Sequence, residues 1–291
     1  MSRRGLLLFL AAGVAWGLPY MFIRFADRDF SVPMIVFSRV LIGSIVLIPL
    51  ALKRGALIPA LKRWRVVLVF ALLEMVGPWW LITSAENGHI TSGLAGLLIA
   101  TVPFFSIPIA FFYMGDKSVT HPKTLIGLVI GFLGVFVLVG IDAVTTNLDV
   151  GWVLLVILAA IGYSIAPAVA AKMAPEVHSS GIISLSMAVV ALIYVGPALT
   201  QPLAPGVTTP SAMGWVSLAV LGVVCSAAAF VIFFALIKEI GSARATLITY
   251  LNTAFAIVLG IIFLAEPLTI GMAVGFPLVL VGSYFAGRKH A

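Results

Sequence analysis

Apolar residues along this chain come in long blocks rather than alternating with polar ones. Blocks of about 18 or more residues recur from end to end, and each is long enough to cross a bilayer core of about 30 Å as a helix. Ten are read, at roughly 5–26, 32–52, 65–86, 91–114, 121–141, 150–172, 179–200, 212–237, 243–264 and 269–287. Polar residues gather in short gaps between them; the longest gaps fall around 53–64 and 201–211. Hydrocarbon offers the backbone no outside hydrogen-bond partners, so each block is expected to be helical. The fold class that follows is an all-α membrane protein with ten transmembrane helices.

Composition agrees with the pattern. Of 291 residues, 62% are hydrophobic and 9% charged, too few charges to cover a soluble domain of this length. Arg3 and Arg4 before an apolar stretch imitate a secretory leader. That stretch, however, is about 20 residues long and no small-x-small site precedes polar sequence, so it reads as a retained span. The net charge of +7 sits in the gaps between blocks and speaks for membrane orientation rather than nucleic acid. With the N-terminus in the cytoplasm, 14 of the 17 Lys and Arg residues fall on the cytoplasmic side. Arg24 and Arg28 lie opposite, and Arg39 lies within a span. Both termini are therefore expected in the cytoplasm.

Several chemistries drop out. The single cysteine, Cys225, leaves no internal disulfide and no cysteine-based metal site. His89, His121, His178 and His290 all sit at span ends, and none clusters with another ligand, so no metal is expected. No G-x-x-x-x-G-K-[ST] loop occurs, and the short gaps leave no room for an ATPase domain. No cofactor is expected.

The chain repeats itself. At a constant offset of 150, Ile90 meets Ile240, Ser92 meets Ser242, Leu97 meets Leu247, Phe105 meets Phe255 and Asp116 meets Glu266. A Gly-rich block follows each acidic residue, and a fainter echo sets Trp16 against Tyr163. Two halves of five spans result, 1–145 and 146–291. Because five is odd, the second half must enter the membrane inverted, an architecture that places substrate between the halves near the midplane. Asp116 and Glu266 then read as helix stops on opposite faces.

"AWG" at 15–17 and helices ending in "GD" (115–116) or "AEP" (265–267) before a Gly-rich last helix resemble the EamA-type drug/metabolite transporter superfamily. The resemblance covers essentially the whole chain, although Asp116 stands where glutamate is commoner. Within the superfamily the chain is similar to bacterial aromatic amino-acid exporters. That resemblance implies a bacterial inner-membrane exporter of amino acids, aromatic ones included, with a small-molecule substrate and the lipid bilayer as its partners. No nucleic-acid partner is expected. The stripes Gly127/Gly131 and Gly271/Gly275 are assigned to packing within a monomer.

A midplane site draws on residues near span centres. The candidates are Trp16, Glu74, Trp79, Trp80, Pro103, Tyr163, Tyr250 and Asn252. Trp and Tyr combine a broad apolar face with one polar handle, which suits an amphipathic solute. Adjacent on a helix, Trp79 and Trp80 are about 100° apart, so one of them is expected to face inward. Arg39 and Glu74 are charges inside spans and are read first as a structural ion pair. Alternatively Glu74 carries a proton or meets a substrate ammonium, and Arg39 meets a carboxylate. Pro19, Pro78, Pro103, Pro167 and Pro277 are taken as tolerated rather than as hinges. Two rival functions stand beside amino-acid export. One is efflux of drugs or organic cations through the same aromatic cavity. The other is a membrane-embedded enzyme, which one mid-span carboxylate and no mid-span histidine disfavour.

Overall fold

The computed structural model describes residues 2–115, 121–145, 148–240 and 248–287. Asp116, Lys117, Arg244, Arg288 and Lys289, and the repeat partners Ser242 and Leu247, lie outside the described residues. The described chain is all-helical, with no strand. Its elements are α1 (Arg3–Ala26), α2 (Val32–Lys53), α3 (Trp64–Glu86), α4 (Ser92–Phe112), α5 (Pro122–Thr145), α6 (Val150–Met173), α7 (Ser179–Thr200), α8 (Ala212–Ile240), α9 (Ile248–Leu264) and α10 (Ile270–Gly287). A short helix, Leu57–Lys62, joins α2 to α3. Eight helices, α1 to α8, are long and apolar enough to cross a membrane; α9 and α10 are shorter apolar helices. Large apolar side chains such as Ile45, Phe112, Phe136, Leu192 and Ile262 stand exposed, as a lipid-facing surface requires.

Local chemistry starts the helices where the gaps end. Ser2, Ser31, Thr91, Asp149 and Ser211 each accept a hydrogen bond from a first-turn N–H of α1, α2, α4, α6 and α8. Carboxylates from distant segments add to three helix starts. Asp29 Oδ2 accepts from Ser211 N (3.1 Å) and Ser211 Oγ (2.5 Å) at α8. Asp142 accepts from Thr269 Oγ1 (2.7 Å) and Gly271 N (3.1 Å) at α10. Glu266 accepts from Ser92 N (2.8 Å), Ser92 Oγ (2.9 Å) and Gly93 N (3.1 Å) at α4. Each couples an acid to the free N–H groups and positive end of a helix dipole. Glu266 therefore does more than stop α9: Ala265, at φ 53°, turns the chain back so that the acid reaches another helix. The loops after α1 and α7 also pair, through Phe30 and Leu203.

The packing follows small residues. α5 lies along α10: a Cβ on Gly275 would sit 2.5 Å from Leu138 Cβ, and one on Gly134 would sit 2.8 Å from Val279 N. Gly271 and Gly275 thus lie against Leu138 and its neighbours on α5, and Gly127 and Gly131 against Gly282 of α10, letting the backbones approach within the chain. α2 packs on α7, and α4 on α9. α1 packs on α9 and α8, while α6 packs on α4 and α3.

Proline acts differently from site to site. Pro19, Pro167 and Pro277 lie inside continuous helices. Pro103 follows a break at Ala100–Thr101, where α4 tightens to three-residue hydrogen bonds. Pro78 follows a π turn at Leu72–Val76, with Gly77 N bonded back to Leu72 O. A second π turn, Val223–Ala228, interrupts α8.

The glycine contact makes a direct prediction. Gly275→Leu should overpack the α5–α10 seam by about 1–3 kcal/mol or more. It should lower the thermal midpoint and the monodisperse yield in detergent size-exclusion runs. Gly140→Leu, whose Cβ would meet nothing within 4 Å, should leave both unchanged.

Candidate functional site

Helices α1, α2, α3, α4, α6, α8 and α9 surround a cavity of about 250 Å³. α1 contributes Trp16, Pro19, Tyr20 and Ile23, and α3 contributes Glu74, Trp79, Ile82 and Thr83. Arg39 of α2, Tyr163 of α6, Phe230 and Phe233 of α8, and Thr249 and Asn252 of α9 complete most of the wall. The π turn explains how Glu74 reaches it. In an uninterrupted α-helix Met75, four residues before Trp79, would share its face. The extra residue of the π turn rotates the preceding segment and brings Glu74 into line with Trp79 and Thr83.

Aromatic faces form one side. Trp16 packs edge-on to Phe230 at 5.4 Å between ring centroids and tilted against Phe233 at 4.8 Å. The guanidinium of Arg39 lies over the Trp79 ring, 3.8 Å from its centroid. Arg39 Nε donates to Ser226 Oγ at 2.9 Å, and Ser226 Oγ donates in turn to Leu221 O at 2.9 Å. Ser226 belongs to the second π turn, so an interruption in α8 anchors the cation.

The expected Arg39–Glu74 ion pair is absent: Arg39 is held by Ser226 and Trp79, and Glu74 Oε2 is buried without a hydrogen-bond partner. The two residues nevertheless line one cavity, as the alternative reading of Glu74 and Arg39 as substrate contacts requires. Of the other candidates, Trp16, Trp79, Tyr163 and Asn252 line it as well. Trp80, Pro103 and Tyr250 do not. Trp80 is 40% exposed and stacks on Tyr194 at 5.9 Å, turned away from the cavity that Trp79 lines. Pro103 follows the break in α4, where its neighbour Val102 takes the wall position. Tyr250 is rotated off a face held by Thr249 and Asn252.

Thr83, Phe230 and Phe233 were missed. Thr83 is four residues after Trp79 and Phe233 three after Phe230, so helical spacing alone pointed to them. Ser226 carried no comparable signal. The Trp79 indole, 5% exposed, shows which of the adjacent tryptophans turns inward.

Outside the spans, charges behave as their surroundings dictate. Burial pushes the Asp27 carboxyl up to about 6, with the Arg24 and Arg28 guanidiniums pulling it partly back. Burial lowers His178 below its ordinary value, helped by Arg54 and Lys238 nearby.

Comparison with known proteins gives this cavity a context. The EamA-like transporter family matches the chain twice, over residues 3–140 and 150–288. The chain is 26% identical over 249 residues to the uncharacterized inner membrane transporter YedA of Escherichia coli strain K12, covering 85% of this chain and 78% of that protein. It is 26% identical over 296 residues to the uncharacterized transporter YvbV of Bacillus subtilis, covering 99% and 92%. A protein solved by crystallography shares the fold at a TM-score of 0.67 and 19% identity, over 97% of this chain and 96% of the other. A polar, aromatic-walled hollow inside an apolar helical bundle fits that company: the chain belongs to the EamA-like transporter family and is a multi-pass membrane transporter.

Proposed function

We propose that this transporter exports amino acids, aromatic ones included, by alternating access through the central cavity. The observation that carries the reading is the pair Arg39 and Glu74, a guanidinium and a carboxyl group that line one hollow without meeting. A zwitterion answers both at once, its carboxylate toward Arg39 and its ammonium toward Glu74. Trp16, Trp79, Tyr163 and Phe230 offer the apolar and π faces for a side chain. The volume, about 250 Å³, lies just under the usual range for ligand sites of roughly 300–1,000 Å³ and suits a small solute better than a multi-ring drug. An organic cation would find Glu74 and the aromatic wall but would face Arg39 as a like charge.

The architecture behind the reading is ten spans in two inverted halves, 1–145 and 146–291. Support comes from the family match to each half. It comes also from two π turns that begin 151 positions apart, at Leu72 and Val223. The helix contacts have the same sense: α1 against α8 and α9 is mirrored by α6 against α3 and α4. The distribution of Lys and Arg assigns the beginning of α1 and the end of α10 to the cytoplasm of a bacterial inner membrane. The loops bearing Asp29, Glu266 and the other carboxylate clamps then face outward. The glycine stripes are satisfied within one chain, which supports a monomer.

Two measurements test these statements. In a Cys225→Ala background, a membrane-impermeant maleimide applied to intact cells should label Gln201→Cys and spare Lys62→Cys until the cells are broken. The reverse pattern would refute the orientation. In proteoliposomes, labelled phenylalanine should undergo counterflow and tetraethylammonium should not. Arg39→Gln removes a charge-assisted contact worth about 1.5–3 kcal/mol, so it should weaken phenylalanine exchange roughly tenfold or more. Cation exchange without phenylalanine exchange would establish the rival substrate class.

A further inference from the structure

The central cavity does not account for every buried charge. Glu86, the last residue of α3, is 0% exposed, and neither of its carboxyl oxygens has a hydrogen-bond partner. Its backbone carbonyl accepts a bond from Arg24 Nη1, but its side chain accepts none. Its place is between two hollows. One turn before it, Thr83 lines the central cavity. Arg24, bonded to its carbonyl, lines a second hollow of about 260 Å³ at the clamped face, together with His89, Asp142 and Pro267. Glu86 thus sits in the wall that separates the substrate cavity from that face. The π turn gives it a second neighbour along the helix. With one residue inserted, Glu74 and Glu86 fall on the same side of α3, roughly 17 Å apart.

The groups around Glu86 give an ionised side chain no hydrogen bond and only cations already engaged elsewhere. The charged and titratable residues close enough to act on it are Glu266 after α9, Arg24 and Asp27 at the end of α1, Arg39 of α2, and Tyr20 of α1. Glu266 already takes three hydrogen bonds at the start of α4, so its negative charge is well held and repels a second one. Arg24 is shared with Asp27 at 3.5 Å, and Arg39 is tied to Ser226 and Trp79. An unpaired carboxylate sealed from water costs far more than a neutral acid in the same place.

We propose that Glu86 is the proton-binding group of the outer gate, loaded from outside when the gate is open and sealed in when it closes. Its carboxylate takes one proton to become the neutral acid, and no other bond changes. With the gate closed, the proton leaves inward past the Thr83 hydroxyl into the solvent of the central cavity, which carries it on to Glu74. Substrate moves out as a proton moves in. The inference rests on the transport reading above, and its test has one arm independent of substrate.

That arm is infrared spectroscopy of the purified protein in lipid at neutral pH. The spectrum of wild type minus Glu86→Gln should contain a protonated-carboxyl C=O band, and its absence would overturn the proposal. The second arm uses proteoliposomes with an entrapped pH dye. In wild type, a pH gradient should drive phenylalanine against its own gradient, with proton movement recorded by the dye. Glu86→Gln, a neutral isostere of the acid, should keep equal-pH counterflow within about twofold and lose gradient-driven flux by tenfold or more. Glu86→Asp should recover part of it. Full gradient-driven flux in Glu86→Gln would overturn the proposal, as would pH-gradient-driven phenylalanine uptake without any proton signal in wild type. Failure of phenylalanine counterflow alone, with the infrared band present, would count against the substrate class and leave the proton site supported.

Discussion

A hydrocarbon interior has no water to complete a hydrogen bond, and most of this structure is an answer to that constraint. Hydroxyls fold back onto carbonyls: Thr253 donates to Gly96 O, Ser186 to Val67 O and Tyr194 to Val76 O. Carboxylates near the membrane edge are spent on helix starts, as with Asp29, Asp142 and Glu266. Against that background an unmet side chain is informative. Glu74 and Glu86 are the two residues with buried, unpartnered side-chain atoms among the described residues, and both lie on α3. Satisfaction elsewhere makes it physically reasonable to look for ligands and protons at these two positions rather than along the whole bundle.

The two π turns show how backbone irregularity becomes side-chain placement. A regular α3 would aim Met75 at the cavity and carry Glu74 away from it. Pro78 cannot donate a hydrogen bond, and the wider turn just before it absorbs that loss while re-aiming the acid. In α8 no proline is present; there the turn lets Ser226 bond five residues back and receive Arg39. The two π turns thus serve one hollow in different ways: one aims Glu74 into it, and the other supplies Ser226, which holds Arg39 there.

Much of the fold was written in block length, because a bilayer imposes it. Apolar blocks gave the helices nearly to the residue: 150–172 was expected and Val150–Met173 is found. The site was harder to read. Trp16 and Tyr163 stood out through the repeat, but Trp79 and Trp80 could not be separated without knowing the helix phase, which the π turn shifts. The ion pair was misjudged because sequence gives the cost of a buried charge and not its partner; Trp79 and Ser226 took Arg39 instead. Glu86 was overlooked for a simpler reason. A span end looks wet in sequence, whereas here Glu86 is completely buried.

Opening the clamped face cannot simply pull α4 from α9. Glu266 ties the end of α9 to the start of α4, and Thr253 of α9 bonds Gly96 of α4 deeper in. With hydrogen bonds at both levels, the pair moves together at least as far as the break at Ala100–Thr101. Beyond that break the hydrogen-bond ladder of α4 is already interrupted, so bending there sacrifices little. The Leu72–Val76 turn is the matching weak point in α3, set between its two acids. A gate built this way would swing the outer ends of α3 and α4 on those two interruptions. That motion would change the surroundings of Glu86; both parts of α3 pack against α6, so the swinging part would have to slide along it.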